Sequence, residues 1–211
     1  MSKLSPSNPP PPIAAFDFDG TLTYKDSFVS YLIWKCGLLG FLRHCVSMPH
    51  IWLDYLIHKD RGPLKLHLIN AILGKISHEA LMVSLSDFFA AYKDRLLRPD
   101  AFKVWQDHKA LGHECVIVTA SPDILVAYFG KYIGADRVIG TRFVYDAATS
   151  QLRLEGLNNR CAEKVRRLKE AYGQDLVILD AYGDTKGDLD MLKVAQNGHY
   201  KVFKEKPTYL G

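Results

Sequence analysis

Asp17 and Asp19 stand two residues apart in Phe16-Asp17-Phe18-Asp19-Gly20-Thr21-Leu22-Thr23, directly after the apolar lead Ile13-Ala14-Ala15. On a strand, residues two apart share a side, so both carboxylates face one way while Phe16 and Phe18 face the other. Carboxylates this close repel unless a cation or a shared proton offsets them. A second acidic pair, Asp184 and Asp188, lies in Gly183-Asp184-Thr185-Lys186-Gly187-Asp188. Two carboxylates four residues apart, after an apolar strand and before a helix, are placed to bind a hard cation. Thr119 follows an apolar run and precedes Ala120, Ser121 and Pro122. A hydroxyl with free backbone N–H groups at such a turn can grip a phosphate oxygen, although a Ser or Thr before a helix is commonly only a cap. Lys164 sits in Asn158-Asn159-Arg160-Cys161-Ala162-Glu163-Lys164-Val165 at the start of a helix, where the helix dipole favours anions. A cation there needs another reason, and an anionic site supplies one.

The elements that must carry these groups are legible in the hydropathy. Apolar runs at 13–15, 115–118 and 176–179 read as buried strands, and each leads into one of the polar groups above. Segments 137–145 and 151–154 read as two strands around the turn Asp146-Ala147-Ala148-Thr149, and 200–203 as a last strand. Helices are expected over 101–111, 123–133, 162–172, closed by Gly173, and 188–194. Strands alternating with helices imply an α/β fold with a parallel sheet covered on both faces. In open α/β sheets the carboxyl edge is where ligands bind.

Between Asp26 and Leu97 no strand pattern occurs. Phe28, Tyr31, Leu32, Leu38, Leu39, Phe41, Leu42, Ile51, Trp52, Tyr55 and Leu56 recur at helical spacing, with Pro49 and Gly62-Pro63 as breaks and Ser77 as an N-cap. This segment reads as an all-helical cap inserted after the first strand. The stretch 37–58 is about long enough to cross a membrane. It contains Arg43, His44, Pro49, His50 and Asp54, and central charges are costly in lipid. Its basic residues interleave with Trp34, Trp52 and Tyr55, so peripheral contact with an anionic membrane surface stays open beside ordinary helix packing.

The chain has 211 residues, 48% of them hydrophobic and 24% charged, which suits one globular core with an insertion. A net charge of +4 without a dense Lys/Arg block suits an anionic substrate and argues against nucleic acid. Cys36, Cys45, Cys115 and Cys161 form no CxxC pair, which argues against zinc. Without a recognisable signal peptide they read as reduced thiols of a cytoplasmic protein. Residues 1–12, with Pro6 and the run Pro9 to Pro12, read as a disordered proline-rich tail.

The four polar groups, in this order and each at a strand or helix end, resemble the four motifs of the haloacid dehalogenase (HAD) superfamily. The placement and helical character of the insertion resemble its phosphoserine phosphatase-like branch. The resemblance implies a Rossmann-like core formed by 13–25 and 98–206 and a helical cap over 26–97. It implies a Mg²⁺-dependent phosphatase with Asp17 as nucleophile and Asp19 as general acid/base. It further implies that Asp17, the Asp19 carbonyl and Asp184 hold Mg²⁺, with Asp188 orienting a metal-bound water or Lys164. Thr119, the Ala120 N–H and Lys164 are the implied phosphoryl contacts.

For the substrate the resemblance is less decisive. Asp26 stands where phosphoserine phosphatases carry a substrate-binding glutamate, and 66–74 offers no arginine for a serine carboxylate, with His67 or Lys65 as weak substitutes. Phosphoserine is therefore disfavoured. The apolar-basic cap looks somewhat like that of the phosphatidylglycerophosphatase C type, which acts on a lipid head group. A soluble phosphorylated small molecule is the leading expectation. A catalytically silent regulator would be expected to lack Asp17, Asp19 or Asp184, and all three are present. Oligomeric state is left open.

Overall fold

A computed structural model describes residues 11–208. The proline-rich tail expected over 1–12 lies outside the described residues except for Pro11 and Pro12. In chain order the elements are β1 (Ile13–Phe16), α1 (Ser27–Val46), α2 (Pro49–His58), α3 (Arg61–Leu73), α4 (His78–Leu96), α5 (Pro99–Ala110), β2 (Glu114–Pro122) and α6 (Asp123–Ile133). There follow β3 (Arg137–Thr141), β4 (Phe143–Asp146), β5 (Gln151–Leu154), α7 (Ala162–Tyr172), β6 (Ile178–Gly183), α8 (Leu189–Val194) and β7 (Asn197–Tyr200). Five strands form a parallel sheet in the order β3-β2-β1-β6-β7. The chain builds outward from β1 on one side and then returns to its other side. That reversal opens a crevice at the carboxyl ends of the central strands.

Alternation along the strands sorts the core into two layers. Ala14, Phe16, Cys115 and Ile117 point to the face covered by α5 and α6. Ile13, Ala15, Val116 and Val118 point to the face covered by α7 and α8. Phe28, Tyr31 and Leu32 of α1, Leu68 and Ile69 of α3, and Leu81, Leu85 and Phe88 of α4 join the first layer. The helical insert therefore shares a core with the sheet. Its entry and exit are stitched together, Tyr24 N donating to Leu96 O at 2.9 Å and Arg98 N to Leu22 O at 2.9 Å.

Several expectations are corrected. The strand expected over 137–145 breaks at Arg142: β3 stays in the main sheet, while β4 pairs antiparallel with β5. This hairpin docks on the insert. Asn70 of α3 donates from Nδ2 to Leu152 O at 2.7 Å and accepts from Leu152 N at 3.0 Å, much as a neighbouring strand would. The last strand is Asn197–Tyr200 and not 200–203. Its polar Asn-Gly-His sequence conceals it, because it is an edge strand held by its ladder to β6. β6 runs past the apolar 176–179 to Gly183, with Asp180 accommodated by His199 at 2.8 Å. Gly62-Pro63 opens α3 and does not break a helix. Asp60 caps Gly62 N at 2.9 Å, and a first-turn proline forfeits no helical bond. The break lies at Lys59, with φ 57°.

The stretch 37–58 is not one helix. Gly37 kinks α1 at φ 72°, and the chain restarts at α2 after Val46. No single helix among the described residues is long and apolar enough to cross a membrane; α3 and α4 together pass on length and composition but are bent by 102°. Part of the apolar stripe expected to pack against neighbours is instead exposed, with Leu38 at 57%, Leu39 at 83% and Leu56 at 58%, and Val46 and Ile57 beside it are exposed too.

Candidate active site

The carboxyl ends of β1, β2 and β6 bring together the groups singled out in the sequence. Asp17 follows β1, its N–H donating to Tyr182 O of β6 at 2.9 Å, and its side chain is buried. Phe18 turns the other way into the core, as two-residue alternation requires. Lys164, on the first turn of α7, is 1% exposed. Its Nζ donates to Asp17 Oδ1, Asp188 Oδ1 and Val118 O, each at 2.6 Å. The position that the helix dipole disfavours is thus stabilised by two carboxylates. Asp188 accepts on its other oxygen from Thr185 N and Thr185 Oγ1, both at 2.8 Å. Of the two roles implied for Asp188, the geometry brings it to Lys164.

Asp184 completes an acidic cluster. Asp17, Asp184 and Asp188 offer carboxylate oxygens that all lie within 4.8 Å of one another. Asp184 approaches over Gly20, whose φ is 88°; a Cβ built on Gly20 would lie 2.3 Å from Asp184 Oδ2. Gly20→Ala should therefore cost about 1–3 kcal/mol from backbone strain alone, besides displacing Asp184. Chemical denaturation of the variant checks this, and unchanged stability would contradict the assigned contact.

Asp19 is held differently. Oδ1 accepts from Ser27 N at 2.6 Å and Oδ2 from Ser121 Oγ at 2.5 Å. Burial pushes its carboxyl up to about 6, helped by the field of Asp26 and opposed by Lys65. Burial pushes Asp17 up to about 7, with Lys164 opposing and Asp188 adding to the rise. Burial and the Asp188 charge also raise Asp184. Burial opposes ionisation of Asp188, but Lys164 and Thr185 outweigh it and hold the carboxyl below the usual range. Lys164 is likewise penalised by burial, and the two carboxylates more than restore its positive charge.

Thr119 is buried at the end of β2. Its Oγ1 accepts from Ser121 N at 3.0 Å, and no acceptor for its own proton lies within the protein among the described residues. Ala120 lines the cavity beside it, its carbonyl accepting from Lys65 Nζ at 2.9 Å and Thr141 Oγ1 at 2.8 Å. Asp26 is exposed at the rim, where it caps α1 through Val29 N at 2.8 Å. These side chains surround a cavity of about 270 Å³. A larger groove of about 680 Å³, lined by Tyr24, Val29, Ile33, Tyr92 and Leu96, adjoins it at Asp26. The groove is mostly apolar and lacks the converging carboxylates and lysine, so the chemistry belongs to the smaller cavity.

Sequence reasoning missed three contributors: Ser121 anchors Asp19, and Arg61 and Arg160 line the cavity. Lys65, only a weak candidate in the sequence, lines it as well. Arg61 and Lys65, four residues apart on one face of α3, are the signal that was available. The absence of arginine in 66–74 stands, but Arg61 lies one turn earlier.

A family model described as haloacid dehalogenase-like hydrolase matches residues 14–193, which takes in every group just described. The chain belongs to that family. The chain is 41% identical over 202 residues to Protein CicA of Caulobacter vibrioides, covering 94% of this chain and 89% of that protein. It is 26% identical over 200 residues to a histidinol-phosphatase of Neisseria meningitidis, covering 86% of each. A phosphoserine phosphohydrolase-like protein from Francisella tularensis superposes with a TM-score of 0.62 at 21% identity, covering 90% of this chain and 85% of that one. The architecture is accordingly that of the phosphoserine phosphatase-like HAD proteins. As an α/β fold with a parallel, Rossmann-like sheet it agrees with the sequence expectation.

Proposed function

We propose that this HAD protein is a Mg²⁺-dependent phosphatase that hydrolyses a phosphomonoester through an aspartyl-phosphate on Asp17. The observation that carries the reading is the inequivalence of the two carboxylates. Asp17 is bound to buried Lys164, whereas Asp19 is held by hydrogen bonds from Ser27 and Ser121, away from that lysine. Burial raises both carboxyls, so it is these partners that separate a charge-paired nucleophile from a carboxyl free to give and take a proton.

In the first step an Asp17 oxygen attacks phosphorus while the ester P–O bond breaks, and the leaving oxygen takes its proton from Asp19. In the second, Asp19 takes a proton from water as the water oxygen attacks phosphorus. The bond to Asp17 then breaks, releasing inorganic phosphate and restoring both groups. Lys164 neutralises charge on Asp17 and the transferring phosphoryl group, and Thr119 with the Ala120 N–H holds a phosphoryl oxygen. The acidic cluster fits a divalent cation, because Lys164 pairs with Asp17 and Asp188 while Asp184 has no ion pair among the described residues. Asp17, the Asp19 carbonyl and Asp184 would hold Mg²⁺. Bound there, it offsets the repulsion between a carboxylate and a phosphate dianion. The helices 26–97 would act as the cap that closes over the substrate. The exposed Leu39, Val46 and Ile57 favour a second reading, in which the phosphomonoester is a lipid head group met at a membrane surface.

Phosphate release should require Mg²⁺, stop on chelation and return on re-addition. A panel holding p-nitrophenyl phosphate, phosphoserine, histidinol phosphate, sugar phosphates and vesicles carrying phosphatidylglycerophosphate separates the substrate readings. Turnover that survives chelation would contradict the metal assignment. The carboxyl shifts give an independent check. Asp17 and Asp19 titrate higher in the fold than the ordinary carboxyl, so the stability they contribute is present in acid and is lost as pH rises through about 6 to 7. A cation among the carboxylates reverses that loss. The rise in melting temperature on adding Mg²⁺ should therefore be larger near about pH 8 than near about pH 5. Equal rises would count against it.

A further inference from the structure

Both oxygens of Asp19 are held by neighbours. Ser27 N donates to Oδ1 at 2.6 Å and Ser121 Oγ to Oδ2 at 2.5 Å. The two donors differ in kind. A backbone N–H only donates, so it serves the ionised carboxylate best. A hydroxyl can donate to a carboxylate or accept from a carboxylic acid, so Ser121 can keep its bond in either state. Each Asp19 oxygen retains a second lone pair, and Asp19 lines the cavity.

The backbone around Ser121 accounts for the hold. The ladder from β2 to β3 is interrupted between Val118 and Pro122, which frees Thr119, Ala120 and Ser121 from regular pairing. Such bulges re-aim side chains beside active sites. This one is pinned from three directions. Asn159 Nδ2 donates to Thr119 O at 3.1 Å, and Lys65 Nζ and Thr141 Oγ1 donate to Ala120 O at 2.9 Å and 2.8 Å. Pro122, with its fixed φ, follows directly. Ser121 itself is fully buried. Its N–H donates to Thr119 Oγ1 at 3.0 Å, which leaves the threonine proton for a phosphoryl oxygen. One residue therefore bonds both Thr119 and Asp19.

Resting on the phosphatase reading, we propose that Ser121 is a positioning residue whose hydroxyl holds Asp19 in one orientation to the Thr119-bound phosphoryl group through both steps. Asp19 loses its proton to the leaving oxygen and regains one from water, while Ser121 ends each step with its own proton. Ser121 touches neither the phosphoryl group nor the leaving oxygen in this role and acts only through Asp19. A general acid held at a fixed angle reaches the leaving oxygen without a search, and small misplacements are costly.

The test compares wild type with Ser121→Ala, each with and without Asp19→Ala, in Mg²⁺. The ratio kcat/KM is read with phenyl phosphate, whose leaving oxygen needs a proton, and with p-nitrophenyl phosphate, whose leaving oxygen does not. Ser121→Ala should lower it at least about tenfold for the first ester and less than about threefold for the second. In the Asp19→Ala background the same change should alter phenyl phosphate turnover by less than about twofold. Inhibition by inorganic phosphate should stay within about threefold of wild type in Ser121→Ala, because the bond to Thr119 comes from the backbone. Equal losses for the two esters, a loss that persists in the Asp19→Ala background, or weakened phosphate inhibition would reduce Ser121 to a support of the fold and overturn the proposal. Chemical denaturation of the metal-free proteins runs the same cycle without catalysis. Ser121→Ala should raise the unfolding equilibrium constant at least about threefold more in the wild-type background than in the Asp19→Ala background. Equal rises would overturn the hold on Asp19. If wild type turns over neither ester, the phosphatase reading falls, and the denaturation cycle still decides whether Ser121 holds Asp19.

Discussion

Asp17→Asn should lower Mg²⁺-dependent phosphate release by on the order of 1,000-fold or more, because the amide is neither a nucleophile nor a charge for the cation. The substitution is close to isosteric, so the loss is chemical. Lys164 keeps Asp188 and the Val118 carbonyl as partners at 2.6 Å. Burial already works against the ionised Asp17 carboxylate, so the neutral amide should leave stability within about 1 kcal/mol of wild type. A variant retaining a tenth of wild-type turnover, or one that fails to fold, would contradict this. The paired change Asp19→Asn should lose turnover most for substrates with poor leaving groups and least for p-nitrophenyl phosphate, whose leaving oxygen needs no proton. Equal losses across leaving groups would remove Asp19 from the acid role.

Lys164→Met should destabilise the protein by about 3–5 kcal/mol at neutral pH, the range found when one partner of a buried ion pair is removed. The ammonium lies within 2.6 Å of two buried carboxylates, and no other cation is that close to either among the described residues. Without it, Asp17 and Asp188 must take up protons or bear uncompensated charge. The deficit should shrink as pH falls, because protonating those carboxyls relieves it. It should also shrink when Asp188→Asn is combined with Lys164→Met, and a double-mutant cycle measures that coupling. Denaturation midpoints matching wild type would show that the lysine is not an internal counter-ion.

The groups that converge on the cavity were legible because their signals are local. A strand ending in two acids and a glycine, a threonine after an apolar run, a lysine at the disfavoured end of a helix and a spaced acidic pair each show within ten residues. Helices α6 and α7 fall where their periodicity and Gly173 put them. What stayed hidden depends on three-dimensional closure. Arg61 and Lys65 reach the cavity from α3, which core packing of Leu68 and Ile69 and the Asn70 bonds to the β4–β5 hairpin hold in place, contacts between residues far apart in sequence. Arg160 reads as one more surface cation until Gly187 is seen to clear its path. β7 was misplaced because hydropathy cannot register an edge strand whose hold is its backbone ladder.

The most direct test of the central claim is to quench the protein in acid during steady-state turnover and map the phosphoryl group by peptide mass spectrometry. A phosphoryl adduct on the peptide carrying Asp17, absent in Asp17→Asn, is the predicted result. An adduct on another residue, or turnover with no adduct in wild type and undiminished release in Asp17→Asn, would contradict it.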